Sequence, residues 1–199
     1  MNFSRYKISD KYYGGSERKI GVIISGSEYM LKFQKVTAFG TRYNHISEHL
    51  GSRIFEMAGI PAQETFLGTY KGESVVACRN FIEHGEHFVP FNDVGESSLD
   101  QEKERYQYTY SDIMRMLSEN SKLTEVEETI DVFWKIFIVD AFLGNFDRHG
   151  GNWGFLKKEN RYRLAPVFTN GSCLFPNMTD ESDMIRTMNS AEKTKLRLY

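Results

Sequence analysis

The segment 130–143 constrains this chain more than any other. It contains Ile130, Val132, Phe133, Trp134, Ile136, Phe137, Ile138, Val139, Ala141, Phe142 and Leu143. Apolar side chains nearly surround a helix read over 125–143, which predicts a central helix buried on all sides. Thr124-x-x-Glu127 has the form of a capping box at its start. Gly144 ends it and opens a polar, glycine-rich loop, Asn145-Phe146-Asp147-Arg148-His149-Gly150-Gly151-Asn152. A strand is expected over 153–156. Asp140 lies inside the apolar run, where a carboxylate needs a partner. Its expected role is a structural acceptor for the loop.

The front of the chain reads differently. Strands are predicted over 19–24 and 28–33, joined through Ser25-Gly26-Ser27. In the second strand Tyr29, Leu31 and Phe33 share one face, and Met30 and Lys32 share the other. A helix over 47–58 follows, with Asn44 as its cap and Gly59 and Pro61 as its stop. Strands over 64–70 and 74–79 turn at Lys71-Gly72. The order strand, strand, helix, strand, strand suits a small antiparallel sheet with one helix packed on it. Residues 83–110 read as a hinge and a mobile, irregular loop. A short amphipathic helix is predicted over 111–119. The expected fold class is α+β, with a sheet-rich lobe over 1–84 and a mainly helical lobe over 85–199.

Composition narrows the function classes. With 40% hydrophobic and 26% charged residues in 199, the chain is ordinary for a globular protein. A net charge of −2 gives no electrostatic reason to expect nucleic acid. No apolar run approaches the roughly 20 residues of a membrane span, and the N-terminus lacks the apolar core of a secretory signal. Two cysteines, Cys78 and Cys173, do not make a disulfide framework. The expected location is cytoplasmic, and secretion by a signal-less route is compatible with the same features.

The chemistry lies in spacing and order. Asp147 and Asn152 have the Asp-x-x-x-x-Asn spacing of a kinase catalytic loop. There the carboxylate takes up a hydroxyl proton and the amide oxygen holds Mg²⁺. The plain alternative is a capping Asp and a turn Asn. Lys32, on a strand in the context Tyr29-Met30-Leu31-Lys32, parallels the lysine that pairs with nucleotide phosphates; the alternative is a solvent-facing lysine. Glu48 projects with Gly51, Ser52 and Phe55, away from a stripe of Ile46, Leu50, Ile54 and Met57. Small neighbours let that face approach the sheet closely, as a Lys–Glu pair requires; otherwise Glu48 is an exposed glutamate. Gly14-Gly15-Ser16 is a turn whose amides can cradle phosphate, or a simple turn. A competing reading takes His45-Ile46-Ser47-Glu48-His49 as a zinc-hydrolase pattern. The predicted helix start inside that segment separates the two imidazoles, and no third ligand follows. His84 and His87 have no ligand-like company.

In that order the segments resemble a known family. The loop from Leu143 to Leu156 looks like the Asn-x-Asp-Arg-His-x-x-Asn loop of HipA-like bacterial serine/threonine kinases. Segments 64–71 and 75–81, and Ala165-Pro166-Val167-Phe168 through Pro176, are similar to compact CtkA-type members. The resemblance covers about residues 14–176. It implies a two-lobed protein-kinase-like fold, ATP, Mg²⁺ or Mn²⁺, and a protein substrate. It assigns Asp147 to catalysis, Gly14, Gly15, Ser16, Lys32 and Glu48 to ATP, and Asn152 to metal. Arg148 and His149 become loop-fixing residues, and Ser16 an autophosphorylation site. Two departures stand out. Thr169-Asn170 occupies the place of a second metal-binding aspartate, and a neutral hydroxyl does not replace a carboxylate beside Mg²⁺. Family members also continue with further helices beyond the point matching Tyr199. The second lobe is therefore expected to be incomplete relative to the family, with apolar surface left for a protein partner or second copy. An active kinase and a pseudokinase that binds nucleotide or protein both follow from this sequence.

Overall fold

Strand alternation places the lysine before any other side chain. The computed structural model describes residues 1–14, 17–38, 40–96, 109–120, 123–178 and 180–190. In chain order it contains β1 (Lys7–Ile8), β2 (Lys19–Ile24), β3 (Ser27–Phe33), β4 (Val36–Thr37), β5 (Gly40–Thr41), α1 (Asn44–Met57), β6 (Thr65–Tyr70) and β7 (Glu73–Arg79). Then follow β8 (Glu86–Pro90), α2 (Phe91–Glu96), α3 (Tyr110–Glu119), α4 (Val126–Leu143), β9 (Gly154–Lys158), β10 (Arg161–Leu164) and α5 (Glu181–Met188). An antiparallel sheet runs β1-β2-β3-β7-β6. Its β2–β3 hairpin turns at Ser25 and Gly26, both in the left-handed region (φ 49° and 82°), and Ser27 already pairs with Ile24. A two-residue turn of this hand matches strand twist, so the loop is one residue shorter than the sequence suggests. Tyr29, Leu31 and Phe33 pack with Phe3, Val22, Tyr70, Val75 and Ala77. Lys32, one residue out of phase, faces α1 on the other side.

Helix α1 buries the face that looks less hydrophobic. Glu48, Gly51, Ser52 and Phe55 are buried, while Leu50 and Met57 are exposed. Asn44 does not cap this helix. It lies in the first turn, where its Oδ1 accepts from Lys35 N (3.0 Å) and its Nδ2 donates to Phe33 O (3.3 Å). The side chain thus ties the end of β3 to the start of α1.

The second half contains a sheet that the sequence did not suggest, ordered β10-β9-β8. Residues 86–96, expected to be irregular, form β8 and α2. The rest of the expected mobile loop, 97–108, lies outside the described residues. Phe91 stacks on Trp153 (centroids 4.1 Å apart), and with Met116, Leu117 and Phe155 they form a second core. Glu86 on β8 reaches across β9 to Arg163 on β10 (Nη2–Oε1 2.8 Å). Burial opposes the charge on Glu86, but Arg163 and the Glu83 amide outweigh it and hold its carboxyl below the ordinary value. Its contribution is complete above the unfolded value near 4.5 and is lost as pH falls through the depressed folded value. Glu86→Gln is expected to cost about 1.5–3 kcal/mol at pH 7. Urea denaturation at pH 7 and pH 3 checks this, because the deficit should shrink in acid.

Helix α4 departs most from expectation. Only Thr129, Ile136, Asp140 and Leu143 are buried. Phe137, Ile138 and Phe142 are 56%, 64% and 83% exposed. One stripe of the helix packs against the second core and a third, built on Phe55, Val167 and Cys173. The opposite stripe is covered by no element among the described residues. Thr124 does not close a capping box; its Oγ1 donates to Tyr162 O (3.1 Å), and α4 begins without a side-chain cap. A capping box forms instead on α3, between Thr109 and Asp112.

Candidate active site

Lys32 and Glu48 meet at 2.8 Å (Nζ–Oε2), with side chains 9% and 3% exposed. Burial opposes the charge on Lys32, but the Glu48 carboxylate outweighs it and raises the ammonium above its ordinary value. The other carboxylate oxygen of Glu48 accepts from Asn170 N (3.0 Å). Asn170 is fully buried. Its Nδ2 donates to Ser52 Oγ (3.0 Å), and its Oδ1 accepts from Arg148 Nη2 (2.6 Å). The small residues of α1 therefore serve a different approach from the one expected. A Cβ on Gly51 would lie 2.7 Å from Asn170 Cβ and 3.2 Å from Cys173 Sγ, so residue 51 lets the helix close on segment 170–173 rather than on the sheet.

The catalytic-type loop is tied to the same hub. Gly144 takes the left-handed conformation that ends α4 (φ 62°). Asp140 accepts from Arg148 through both oxygens (Nε–Oδ2 2.8 Å, Nη2–Oδ1 3.1 Å) and from Asn145 Nδ2 (2.7 Å). Arg148 also donates to Asn152 O and Phe168 O. Its guanidinium thus joins α4, the loop and segment 168–170. His149 lies at the loop surface, its Nδ1 accepting from Gly151 N (3.1 Å). Asn152 Nδ2 donates to Asp147 O (2.6 Å), which leaves the Asn152 amide oxygen free of that bond. The Asp147 side chain is 48% exposed.

Lys32, Glu48, Asp147, His149, Asn152 and Thr169 line one cavity of about 500 Å³. A second arm of about 400 Å³ shares Glu17, Lys19, Lys32, Asn152 and Thr169 with it. This arm is walled by Met30, Cys78, Phe81, Ile82, Phe88 and Phe168. Burial pushes the Cys78 thiol up to about 12, so it is a neutral part of that wall. The cleft thus has an apolar arm, a middle with Lys19 and Lys32, and a far end with Asp147. Lys19 Nζ donates to Gly14 O (2.8 Å), which brings Gly14 beside the middle. Gly15 and Ser16 lie outside the described residues.

Segment 168–170 holds what the sequence reading missed. Asn170, which with Thr169 occupies the place of the expected metal-binding aspartate, links Glu48, Ser52 and Arg148. Thr169 has φ 58°, a conformation poorly suited to a β-branched side chain. The zinc pattern is also resolved differently. His45 and His49 lie on the same helix, not across its start. Glu48 is held by Lys32 and Asn170, His49 Nδ1 is bonded to Thr65 Oγ1 (2.9 Å), and no three metal-binding groups cluster among the described residues.

The serine/threonine-protein kinase CtkA of Helicobacter pylori is 33% identical over 207 aligned residues, covering 100% of this chain and 63% of the relative. The chain therefore spans under two thirds of that protein's length. The crystal structure of a Helicobacter pylori proinflammatory kinase CtkA superposes with a TM-score of 0.86 at 32% identity, covering 100% of this chain and 69% of that one. HipA of Shewanella oneidensis, solved with HipB and operator DNA, superposes with a TM-score of 0.60 at 15% identity, covering 94% and 54%; that likeness is one of fold. The two-lobed kinase-like α+β architecture is thus shared with both structures. No described helix is long and apolar enough to cross a membrane. The profile of the HipA-like C-terminal domain matches residues 12–194, and by this match and the identity to CtkA the chain belongs to the HipA-like C-terminal domain family.

Proposed function

We propose that this chain is an ATP-binding, kinase-like module whose transfer of phosphate to a protein serine or threonine hydroxyl is slowed by Thr169. The lobes are residues 1–84 and 85–199, with the nucleotide between them. The observation that carries the reading is the buried Lys32–Glu48 pair on the wall of the cavity that contains Asp147 and Asn152. Burying an ion pair seldom adds stability by itself, and Lys32 keeps donors beyond the one Glu48 accepts. The base fits the apolar arm, and the phosphates meet Lys32, Lys19 and the glycine turn.

Bound Mg²⁺–ATP would supply the phosphoryl group and neutralise its charge. The chain's own part is positional. Asp147 stands at the far end of the cleft to accept the hydroxyl proton. Arg148 and Asp140 hold its loop, and Glu48 holds Lys32. Asn152 keeps an amide oxygen for the metal, while Thr169 offers a neutral hydroxyl and Asn170 is committed elsewhere. These donors fit the nucleotide better than the divalent cation. That imbalance favours a second reading, a pseudokinase that binds nucleotide and transfers little. The free, buried Cys78 and Cys173 suit the reducing cytoplasm.

Calorimetric titration with ATP, and label transfer from ATP with Mg²⁺ or Mn²⁺, test both readings. ATP should bind, and any transfer should fall about 10²–10⁴-fold in Asp147→Ala. Binding without transfer selects the pseudokinase. Label incorporation that Asp147→Ala leaves intact sinks the catalytic assignment, and no ATP binding sinks both.

A further inference from the structure

Among the described residues, two cations that line the Asp147 cavity form no ion pair. Lys35 and Arg42 stand at the base of the β4–β5 hairpin, one step beyond the Val36–Thr41 pair. Arg42 N donates to Lys35 O (2.8 Å), and the pleat puts opposed side chains on one face. Both are half-buried and line the cavity with Asp147, and neither lines the apolar arm. Among the described residues neither side chain has a hydrogen-bond or ion-pair partner. Three carboxylates line that cavity: Glu48 is held by Lys32 and Asn170, Glu17 lies in the shared middle, where its charge acts on Lys32, and Asp147 Oδ1 lies 3.8 Å from His149 Nε2.

Like charges opposed on a hairpin repel each other, and partial burial without a direct ion pair adds to the cost. The frame nevertheless holds the two together. Lys35 N donates to Asn44 Oδ1 (3.0 Å), Gln34 Nε2 to Arg42 O (3.2 Å), and Tyr43 N to Pro176 O (3.0 Å). The order along the cleft says which anion arrives. The apolar arm comes first, then Lys19 and Lys32, then Asp147 with Lys35 and Arg42. The phosphates end where Asp147 begins, and the acceptor hydroxyl enters from the other side. We propose that Lys35 and Arg42 dock an anionic side chain next to that hydroxyl, so that the protein substrate is an acidic or phosphorylated segment. This rests on the nucleotide reading of the cleft.

Fluorescent peptides of about 12 residues around one serine, flanked by glutamate, phosphoserine or lysine, provide the test with a non-hydrolysable ATP analogue present. By polarisation the anionic peptides should bind at least about tenfold tighter than the lysine peptide, and weaken as NaCl rises from about 50 to about 300 mM. The order of glutamate and phosphoserine identifies the source of the charge. Lys35→Ala/Arg42→Ala should abolish the preference while ATP affinity stays within about twofold. Equal binding of all peptides, or no binding, overturns the proposal. So does a double variant that loses ATP affinity and keeps the preference, which would give these cations to the nucleotide. Failure of the wild-type protein to bind ATP brings down the cleft reading itself, whereas ATP binding without peptide preference brings down only the substrate class.

Discussion

Lys32→Met is expected to lower the unfolding free energy by about 3–5 kcal/mol, because it leaves a buried carboxylate without its cation. The Glu48 side chain is 3% exposed, and its one remaining donor would be Asn170 N. Urea denaturation at pH 7 reads the loss directly. Lys32→Met/Glu48→Gln should recover at least half of it, since the amide oxygen still accepts from Asn170 while the unpaired charge is gone. A single-variant cost below about 1 kcal/mol would mean that the pair is solvated, contrary to its burial. The raised value of Lys32 sets the pH range. The contribution of the Lys32 charge is complete below the unfolded value near 10.5 and fades only as pH climbs through the higher folded value. Lys32 is therefore charged at any physiological pH.

Thr169→Asp should raise phosphoryl transfer, and the backbone explains why the position accepts it. Thr169 sits at φ 58°, where an L-residue pays about 1–2 kcal/mol and Asp or Asn pays least. Arg148 holds Phe168 O on one side, and Arg148, Ser52 and Glu48 hold Asn170 on the other, so the peptide cannot relax. Thr169→Asn isolates this strain and should stabilise the protein by about 1 kcal/mol. Thr169→Asp should gain less in metal-free buffer, because Asp147 and Glu48 line the same cavity. With Mg²⁺ and ATP it should melt higher than the wild-type protein, and transfer of label should rise at least about tenfold. Thermal melts with and without Mg²⁺, beside label transfer, decide it. Equal metal sensitivity in the two proteins would remove Thr169 from the metal position.

Much of the site could be read from local pattern. Alternation along β3 separates Lys32 from Tyr29, Leu31 and Phe33, which states that the lysine leaves the main core face. The spacing of Glu48 with Gly51 and Ser52 marks a face of α1 capable of close approach. Gly144 and the polar run after it locate the loop at the end of α4. In each case the information lies within a few residues and follows from backbone geometry. Caps were harder. Asn44 and Thr124 have the right chemistry, but each found a longer-range acceptor or donor in the β3–β4 connection or at Tyr162. A capping side chain is only one possible partner for an orphan backbone group.

By itself the sequence determined the strand–strand–helix–strand–strand order and the residues presented by the loop at Asp147 and Asn152. These depend on periodicity and turn chemistry, which are local. Only the tertiary structure decided that Asn170 joins Glu48 to Arg148, across 122 positions of chain. It also decided that, among the described residues, one stripe of α4 is covered and the other is not, and that Lys35 and Arg42 line the cavity of Asp147 without an ion pair. Periodicity states which side chains share a face. Whether that face meets protein, a ligand or water depends on elements distant in sequence, and no local pattern encodes their arrival.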